Sequence, residues 1–240
     1  MSLLQKEKIF AELMVDKYKN CSLIGFIKQN DIDYLTKIGE SYLLRGKSDR
    51  PWIYVSITNE QDIPLIIENL TQYDTNFAAV GETFKKAVLN NEKAAWELYC
   101  YKYVFCDETE LQAPEKGYQT RSLASEDAEY IYSQYDYGHY SNVNYIRERI
   151  EKGIAVGVEI NGKLAAWLLT HDDGAMGMLK VLEPYRNKGL AYYLTISMIQ
   201  KLRESGEVPF VFIEVANEKS WKLAEKIGFT KMGLTYWFKK

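Results

Sequence analysis

The spacing of apolar residues divides the chain into short elements of two periods. Recurrence every three or four residues predicts helices, while alternation or a short apolar run predicts strands. In the first hundred residues, Ile9, Leu13 and Val15 predict an amphipathic helix over 4–19. The apolar run 22–27 reads as a strand and 33–42 as a helix. Residues 51–57, Pro-Trp-Ile-Tyr-Val-Ser-Ile, are rich in the β-branched and aromatic side chains that suit a pleated surface, so they read as a strand. Asn59 or Asp62 would cap a helix through Leu70, with Pro64 in its first turn, where a missing N–H is tolerated. Residues 92–99 read as helical and 101–105 as a strand. Nothing in this half has catalytic spacing.

The pattern beyond residue 115 is clearer. A strand over 118–123 leads to a helix capped by Ser125, with Glu126 and Asp127 placed favourably against its dipole, running to about Tyr135. A second helix follows over 142–152 and stops at Gly153. The runs 154–160 and 163–170 are separated by Asn161-Gly162; both residues tolerate positive φ, so the pair predicts a hairpin. The turn His171-Asp172-Asp173-Gly174 precedes a strand over 175–182. The stripe Leu190, Leu194, Met198, Leu202 defines a helix to about Ser205, with Gly206 as its stop. An apolar strand over 208–216, a helix from Asn217 to Ile227 ended by Gly228, and a closing strand or strand pair over 229–238 complete the order. Between the halves, 107–117 is polar and punctuated by Pro114 and Gly117, as a linker is. The chain therefore reads as two units, 1–110 and 115–240, of α/β (α+β) class, the second a mixed, mostly antiparallel sheet flanked by helices.

Composition narrows the functional classes. With 47% hydrophobic and 26% charged residues over 240 positions, the chain has the make-up of a folded protein. A net charge of −3, with the signs interspersed, argues against a broad nucleic-acid surface, so any anion site must be local. Three cysteines without a CxxC pair fit reduced thiols in a cytoplasmic chain better than a disulfide framework. The first 16 residues mix charged and apolar positions, and no apolar stretch nears about 18 residues, so neither a secretion signal nor a membrane partner is expected. Two histidines and no ligand-spaced cysteines make a metal site unexpected. Oligomeric state is not indicated.

The chemistry lies in the turn over 181–191. It joins a strand to a helix, with Arg186, Lys188 and Gly189 at the junction. A helix start presents unsatisfied N–H groups and roughly half a positive charge, so it holds an anion without a dedicated side chain. Gly189 permits close backbone approach, and the small Ala191 keeps the first turn uncrowded. A pyrophosphate suits such a site; a solvated strand-helix connection is the plain alternative. Neither GxxxxGK[ST] nor GxGxxG occurs.

The segment Leu179-Lys-Val-Leu-Glu-Pro-Tyr-Arg-Asn-Lys-Gly-Leu-Ala191 resembles the signature of the GNAT superfamily of N-acyltransferases: Arg or Gln, two residues, Gly, one residue, Gly or Ala, filled here by Arg186, Gly189 and Ala191. Asn217-Glu-Lys-Ser-Trp-Lys-Leu-Ala-Glu-Lys-Ile-Gly-Phe229 resembles its second signature, with a small residue, Ser220, three positions after the Asn. Trp167, Leu182-Glu-Pro-Tyr-Arg186 and Trp237 are most similar to the glycine N-acyltransferase-like branch, which implies that residues 1–110 could be a degenerate copy of the same fold. The resemblance implies that acyl-coenzyme A, expected to be acetyl-CoA, lies where the strands 175–182 and 208–216 splay apart. Leu179, Lys180 and Val181 would pair with the pantetheine arm. Arg186, Asn187, Lys188, Gly189, Leu190, Ala191 and Tyr192 would hold the pyrophosphate, and Asn217 and Ser220 would meet the coenzyme arm. The acyl group would pass to a primary amine of a small molecule, amino acid or peptide.

Such a transfer needs proximity, a base and oxyanion stabilisation. Glu214 is the first base candidate, because it interrupts an otherwise apolar strand; solvation or pairing with a lysine is its bland alternative. His171, with Asp172 or Asp173, is the second, against a simple turn-bracing role. Tyr135, Tyr137, His139 and Tyr140 fall where the family borders its acceptor pocket, and Trp167 joins them as a substrate contact; surface packing is equally compatible with the loop aromatics. The tyrosine that many members place in the last helix as acid to the leaving thiolate is Ala224 here. That leaves a non-catalytic acyl-CoA-binding module as the alternative.

Overall fold

The computed structural model describes residues 3–112, 117–135 and 141–240. They form two compact units. The first holds the chain to Lys102 together with Ile213–Glu218 and Lys231–Lys240, and the second holds Tyr103–Phe212 and Lys219–Thr230.

In the first unit, α1 (Leu3–Met14) and α2 (Lys17–Gln29) precede a meander of β1 (Asp31–Ile38), β2 (Ser41–Lys47) and β3 (Pro51–Ser56). Then come α3 (Ile63–Glu68), β4 (Asn76–Val80), α4 (Glu82–Leu89) and β5 (Trp96–Val104). The strand order is β1-β2-β3-β4, then the C-terminal β11 (Thr230–Lys239), then β5. β3 and β4 run parallel, at Ile53 with Phe77 and Tyr54 with Ala78; β11 pairs antiparallel with β4. Alternation along the strands supplies two cores. Tyr42, Leu44 and Tyr54 face Ile9, Leu13, Leu23 and Phe26, whereas Leu43, Ile53, Phe77 and Phe238 face Ile66, Phe84 and Val88. Phe77 stacks on Phe238 at 4.7 Å between centroids, which ties the last strand into the unit.

Three expectations for this half are corrected. Residues 22–27 lie inside α2, not in a strand: Asn20 to Ile27 are all buried, and a run buried on every side carries no period to separate helix from strand. Residues 33–42 form the antiparallel β1–β2 hairpin instead of a helix, because β1, with Leu35 its one fully buried residue, pairs along a long buried β2. Residues 96–99 begin β5 instead of ending a helix.

The second unit follows the sequence pattern closely. After β6 (Thr120–Ser122) come α5 (Asp127–Ser133), α6 (Val143–Lys152), β7 (Ala155–Ile160), β8 (Lys163–Thr170) and β9 (Met176–Val181). α7 (Leu190–Glu204), β10 (Phe210–Glu214) and α8 (Glu218–Ile227) complete it. The strand order is β6-β7-β8-β9-β10, antiparallel except for β9 with β10. Asn161 and Gly162 take φ of 53° and 72° in the predicted hairpin. Ser125 does not cap α5; its hydroxyl donates to Glu151, and the Ala124 N–H is taken by Asp127 instead. Asn142 caps α6 by accepting from the Tyr145 N–H at 2.9 Å. α5 and α6 cover one face of the sheet through Ala128, Ile131 and Ile146 against Trp167, Leu169 and Met178, while α7 packs on β7, β8 and β9.

The same order, two helices, three meandering strands, helix, strand, helix, strand, thus occurs twice, as α1 to β5 and as α5 to β11. In each, the third strand and the next are the parallel pair. The polypeptide is a tandem repeat of one fold.

Arg121 spans β6 and α5, donating to both Asp127 carboxylate oxygens at 2.7 and 2.8 Å, which holds the Asp127 carboxyl below its ordinary 3.8. A depressed carboxyl stabilises the fold above its unfolded value and loses that contribution as pH falls through the folded one. Asp127→Asn should therefore lower the melting temperature at pH 7. Below about pH 3.8 the gap to the wild type should close, as thermal unfolding across a pH series would show.

Candidate active site

The turn between β9 and α7 is built in three steps. The parallel ladder of β9 with β10 registers at one pair, Val211 with Met176, whereas β9 itself continues to Val181. Met178 takes φ of 56°, a kink inside β9 that coincides with a register shift against β8. A single 3-10 turn, Glu183–Tyr185, with Pro184 in its start, then leads through Asn187 (φ 60°) and Gly189 (φ 82°) into α7.

That path leaves the amides of α7 open. The first helical bond is from the Tyr193 N–H to the Gly189 carbonyl at 3.0 Å, and no side chain caps the start. Among the described residues, no acceptor meets the backbone N–H groups from Asn187 to Tyr192. Asn187, Lys188 and Gly189 are exposed, and nothing lies within 4 Å of where a Gly189 side chain would begin. A row of outward N–H groups at the positive end of a 15-residue helix is an anion cradle.

The flanking side chains brace the cradle. Arg186 Nε donates to the Val181 carbonyl at 3.2 Å, and Lys188 Nζ to the Pro184 carbonyl at 3.1 Å. Both cations therefore close the turn on itself while keeping positive charge beside it. Tyr118 donates to the Lys188 carbonyl at 2.8 Å, and Tyr193 donates to the Tyr118 carbonyl, with the two rings edge to face at 5.5 Å. Neither tyrosine is marked by the sequence pattern; only the fold brings residues 118 and 193 together. Lys226, on α8, lies 5.8 Å from the centre of the Tyr192 ring.

Leu190 is buried as the first rung of the α7 stripe, and Ala191 and Tyr192 are half-buried beside it. Leu179, Lys180 and Val181 lie at the end of β9. Ser220 is half-buried in the first turn of α8. Ala224 is buried and accepts the Gly228 and Phe229 N–H groups through its carbonyl. Glu214 and Asn217 fall in the first unit, where the Asn217 N–H donates to the Glu214 carbonyl at 2.8 Å. Burial, with the Glu214 charge second, pushes the Cys100 thiol up to about 12, so that cysteine is inert.

A polar cluster lies on the α6 side of the sheet. The Tyr145 hydroxyl stands 3.2 Å from His171 Nδ1 and donates to Asp172 Oδ1 at 3.1 Å. Arg149, fully buried in the next turn of α6, stacks on the Tyr145 ring and contacts Glu148 at 3.2 Å. Asp173 is buried and accepts the Ala175 N–H at 3.0 Å, which shapes the turn. Burial holds the His171 imidazole below its ordinary value despite the Asp172 charge, and raises the Tyr145 phenol well above its own. Trp167 is wholly buried, with Tyr130 edge-on at 6.2 Å, among the α5 and α6 core residues. Tyr135 packs against that core. Tyr137, His139 and Tyr140 lie outside the described residues. Among the described residues no group of three His, Cys, Asp or Glu could hold a metal, and no helix is long and apolar enough to cross a membrane.

The fold is similar to that of solved GNAT proteins, in a two-domain layout. Residues 153–238, which include the whole of the cradle, match the family model described as FR47-like protein. A Drosophila protein of solved structure is similar over 83% of this chain and 73% of its own, at 19% identity and a TM-score of 0.70. A GCN5-related N-acetyltransferase from Kribbella flavida is similar over 93% and 94%, at 11% identity and a TM-score of 0.61. A tandem GNAT protein from the clavulanic acid biosynthesis pathway is similar over 91% and 87%, at 12% and 0.51. No curated protein matches the chain at a significant level. These likenesses to solved structures show the fold, and the family model covers residues 153–238.

Gly177, on β9, packs against the His171 ring of the polar cluster: a Cβ there would overlap His171 Nε2. Gly177→Ala should turn the imidazole away from Tyr145 and destabilise the protein by about 1–3 kcal/mol, the usual cost of overpacking. Urea unfolding together with the His171 ring resonances would register both effects.

Proposed function

We propose that this protein is an N-acyltransferase of the glycine N-acyltransferase-like branch. It would transfer an acyl group, acetyl in the simplest case, from acyl-CoA to a primary amine of a small molecule, amino acid or peptide. The observation that carries this reading is the run of backbone N–H groups from Asn187 to Tyr192 with no protein acceptor among the described residues. A diphosphate placed there takes several hydrogen bonds from groups already fixed in direction, so little ordering cost opposes its binding. The single registered pair between β9 and β10 leaves the Leu179–Val181 backbone to receive the pantetheine amides, with Asn217 and Ser220 meeting the arm. Branch membership is supported by Trp167, Leu182-Glu-Pro-Tyr-Arg186 and Trp237.

Catalysis would then be largely positional. The amine nitrogen attacks the thioester carbon, the C–N bond forms, the C–S bond breaks, and coenzyme A leaves as thiolate. The ammonium proton goes to a base drawn from Glu214, His171 and Asp173. We assign the transferase to residues 115–240 and a structural role to 1–110. In the first copy, the equivalent turn is closed by its own residues: Asn59 accepts the Gln61 N–H, and Glu60 and Asp62 make the turn acidic. The reduced thiols fit a cytoplasmic location. A non-catalytic acyl-CoA-binding module is the second reading, favoured by Ala224 at the position where many relatives carry the acid tyrosine.

Acetyl-CoA should stabilise the protein by about 2.7 kcal/mol at about a hundred times Kd, read as a thermal shift. No shift with acetyl-CoA or coenzyme A would end both readings. Thiol release across an amine panel separates them, since the binding module releases none.

Gly189→Val should weaken coenzyme binding severely, because φ of 82° is strained for any branched side chain and the branch would fill the cradle. Arg186→Ala should weaken it more mildly by loosening the turn at Val181. Isothermal titration of acetyl-CoA into each variant gives the order; a Gly189→Val protein that binds normally would displace the phosphate site.

A further inference from the structure

We propose that Tyr145 is a positioning residue of the transfer: clamped by Asp172, it holds His171 as the Nδ1–H tautomer, so that Nε2 is the atom that takes the proton from the attacking amine. The inference rests on the acyl-transfer reading and adds the identity and orientation of its base. A tyrosine hydroxyl has one hydrogen to give. Asp172 Oδ1, a carboxylate and an acceptor only, takes it at 3.1 Å. The contact at 3.2 Å with His171 Nδ1 must then run the other way, from Nδ1–H to the tyrosine oxygen. The hydrogen bond at one ring nitrogen fixes the other, so Nε2 carries the lone pair.

That lone pair lies against β9. The imidazole occupies the space a Gly177 side chain would fill, with Nε2 nearest, on the strand whose next residues lead to Leu179–Val181. The backbone anchors the ring from both sides: the His171 N–H donates to the Ala175 carbonyl at 2.7 Å, and the His171 carbonyl accepts from the Gly174 N–H at 3.0 Å. Asp173, bound to the Ala175 N–H, holds the same turn. The charged and titratable groups around the ring are Tyr145 and Arg149 from α6 and Asp172 and Asp173 from the turn. Burial keeps the imidazole neutral near pH 7 and the phenol protonated, the two states the relay requires. In the reaction, the proton passes from the ammonium to Nε2 and on to solvent, while the departing thiolate takes one from solvent. One amide and one free thiol result.

Selective ring-15N labelling of the full-length protein reads the tautomer directly, with His139→Gln assigning the two histidines. Wild type should show a protonated Nδ1 and a bare Nε2, and Tyr145→Phe should lose that preference. With acetyl-CoA and glycine, spermidine and a free-amino peptide as acceptors, His171→Asn, which keeps a donor toward Tyr145, should lower kcat by about 100- to 10,000-fold. Tyr145→Phe should lower it by about tenfold, and the acetyl-CoA KM should not move in either. A wild-type Nε2–H tautomer, or a Tyr145→Phe protein with unchanged tautomer and rate, overturns the inference while leaving coenzyme binding intact. Acetyl-CoA stabilisation without transfer to any amine also overturns it and favours the binding module. Failure of acetyl-CoA to stabilise the wild type instead removes the acyl-transfer reading itself.

Discussion

A helix start must place its first backbone N–H groups somewhere, and the β9–α7 turn places them in open space. In α2 and α6 an Asp or Asn side chain accepts one of these hydrogens, so the helix completes itself. α7 has no such residue: Gly189 stands at its cap and offers no side chain, while Arg186 and Lys188, being donors only, turn back onto carbonyls. The helix therefore keeps an unmet demand for an acceptor beside two cations. Most of what makes this turn a candidate anion site depends on that demand, including the bracing by Tyr118 and Tyr193 that holds it in place.

The tandem repeat supplies an internal contrast. Both copies place a helix after the third strand of the meander, beside a parallel partner strand. In the first copy that helix, α3, is six residues long and is preceded by a capped, acidic turn. In the second it is 15 residues long, uncapped and flanked by basic residues. The same backbone plan thus ends in a capped turn in one copy and in open N–H groups in the other. The difference lies in a handful of turn residues, not in topology.

The buried polar cluster of α6 and the 171–174 turn shows a second kind of constraint. Taking Tyr145 and Asp173 out of water costs free energy unless their polar atoms are met, and each has a hydrogen-bond partner within the unit. The same bonds remove the freedom of His171 to choose its tautomer. Structural satisfaction and chemical orientation come from one set of contacts.

Much of this was legible in the sequence. The second copy's elements, its Asn-Gly hairpin, the α7 stripe and the open turn before α7 follow from local periods and turn chemistry, because each depends on residues within about a turn or two of one another. Local pattern misled at 22–27 and 33–42, where burial on all sides erased the period or a long-range strand partner overrode it. Ser125 has the chemistry of a cap, yet the tertiary neighbour Glu151 takes its hydroxyl. Only the fold could join Tyr118 to residues 188 and 193, set Tyr145 against His171, and carry β11 back to β4, since those pairings are separated by 26 to 163 positions in the chain. The sequence determined where an anion would be wanted; the tertiary structure decided which side chains brace that place and which nitrogen of His171 is left bare, because hydrogen-bond direction is set by neighbours that the chain brings together only on folding.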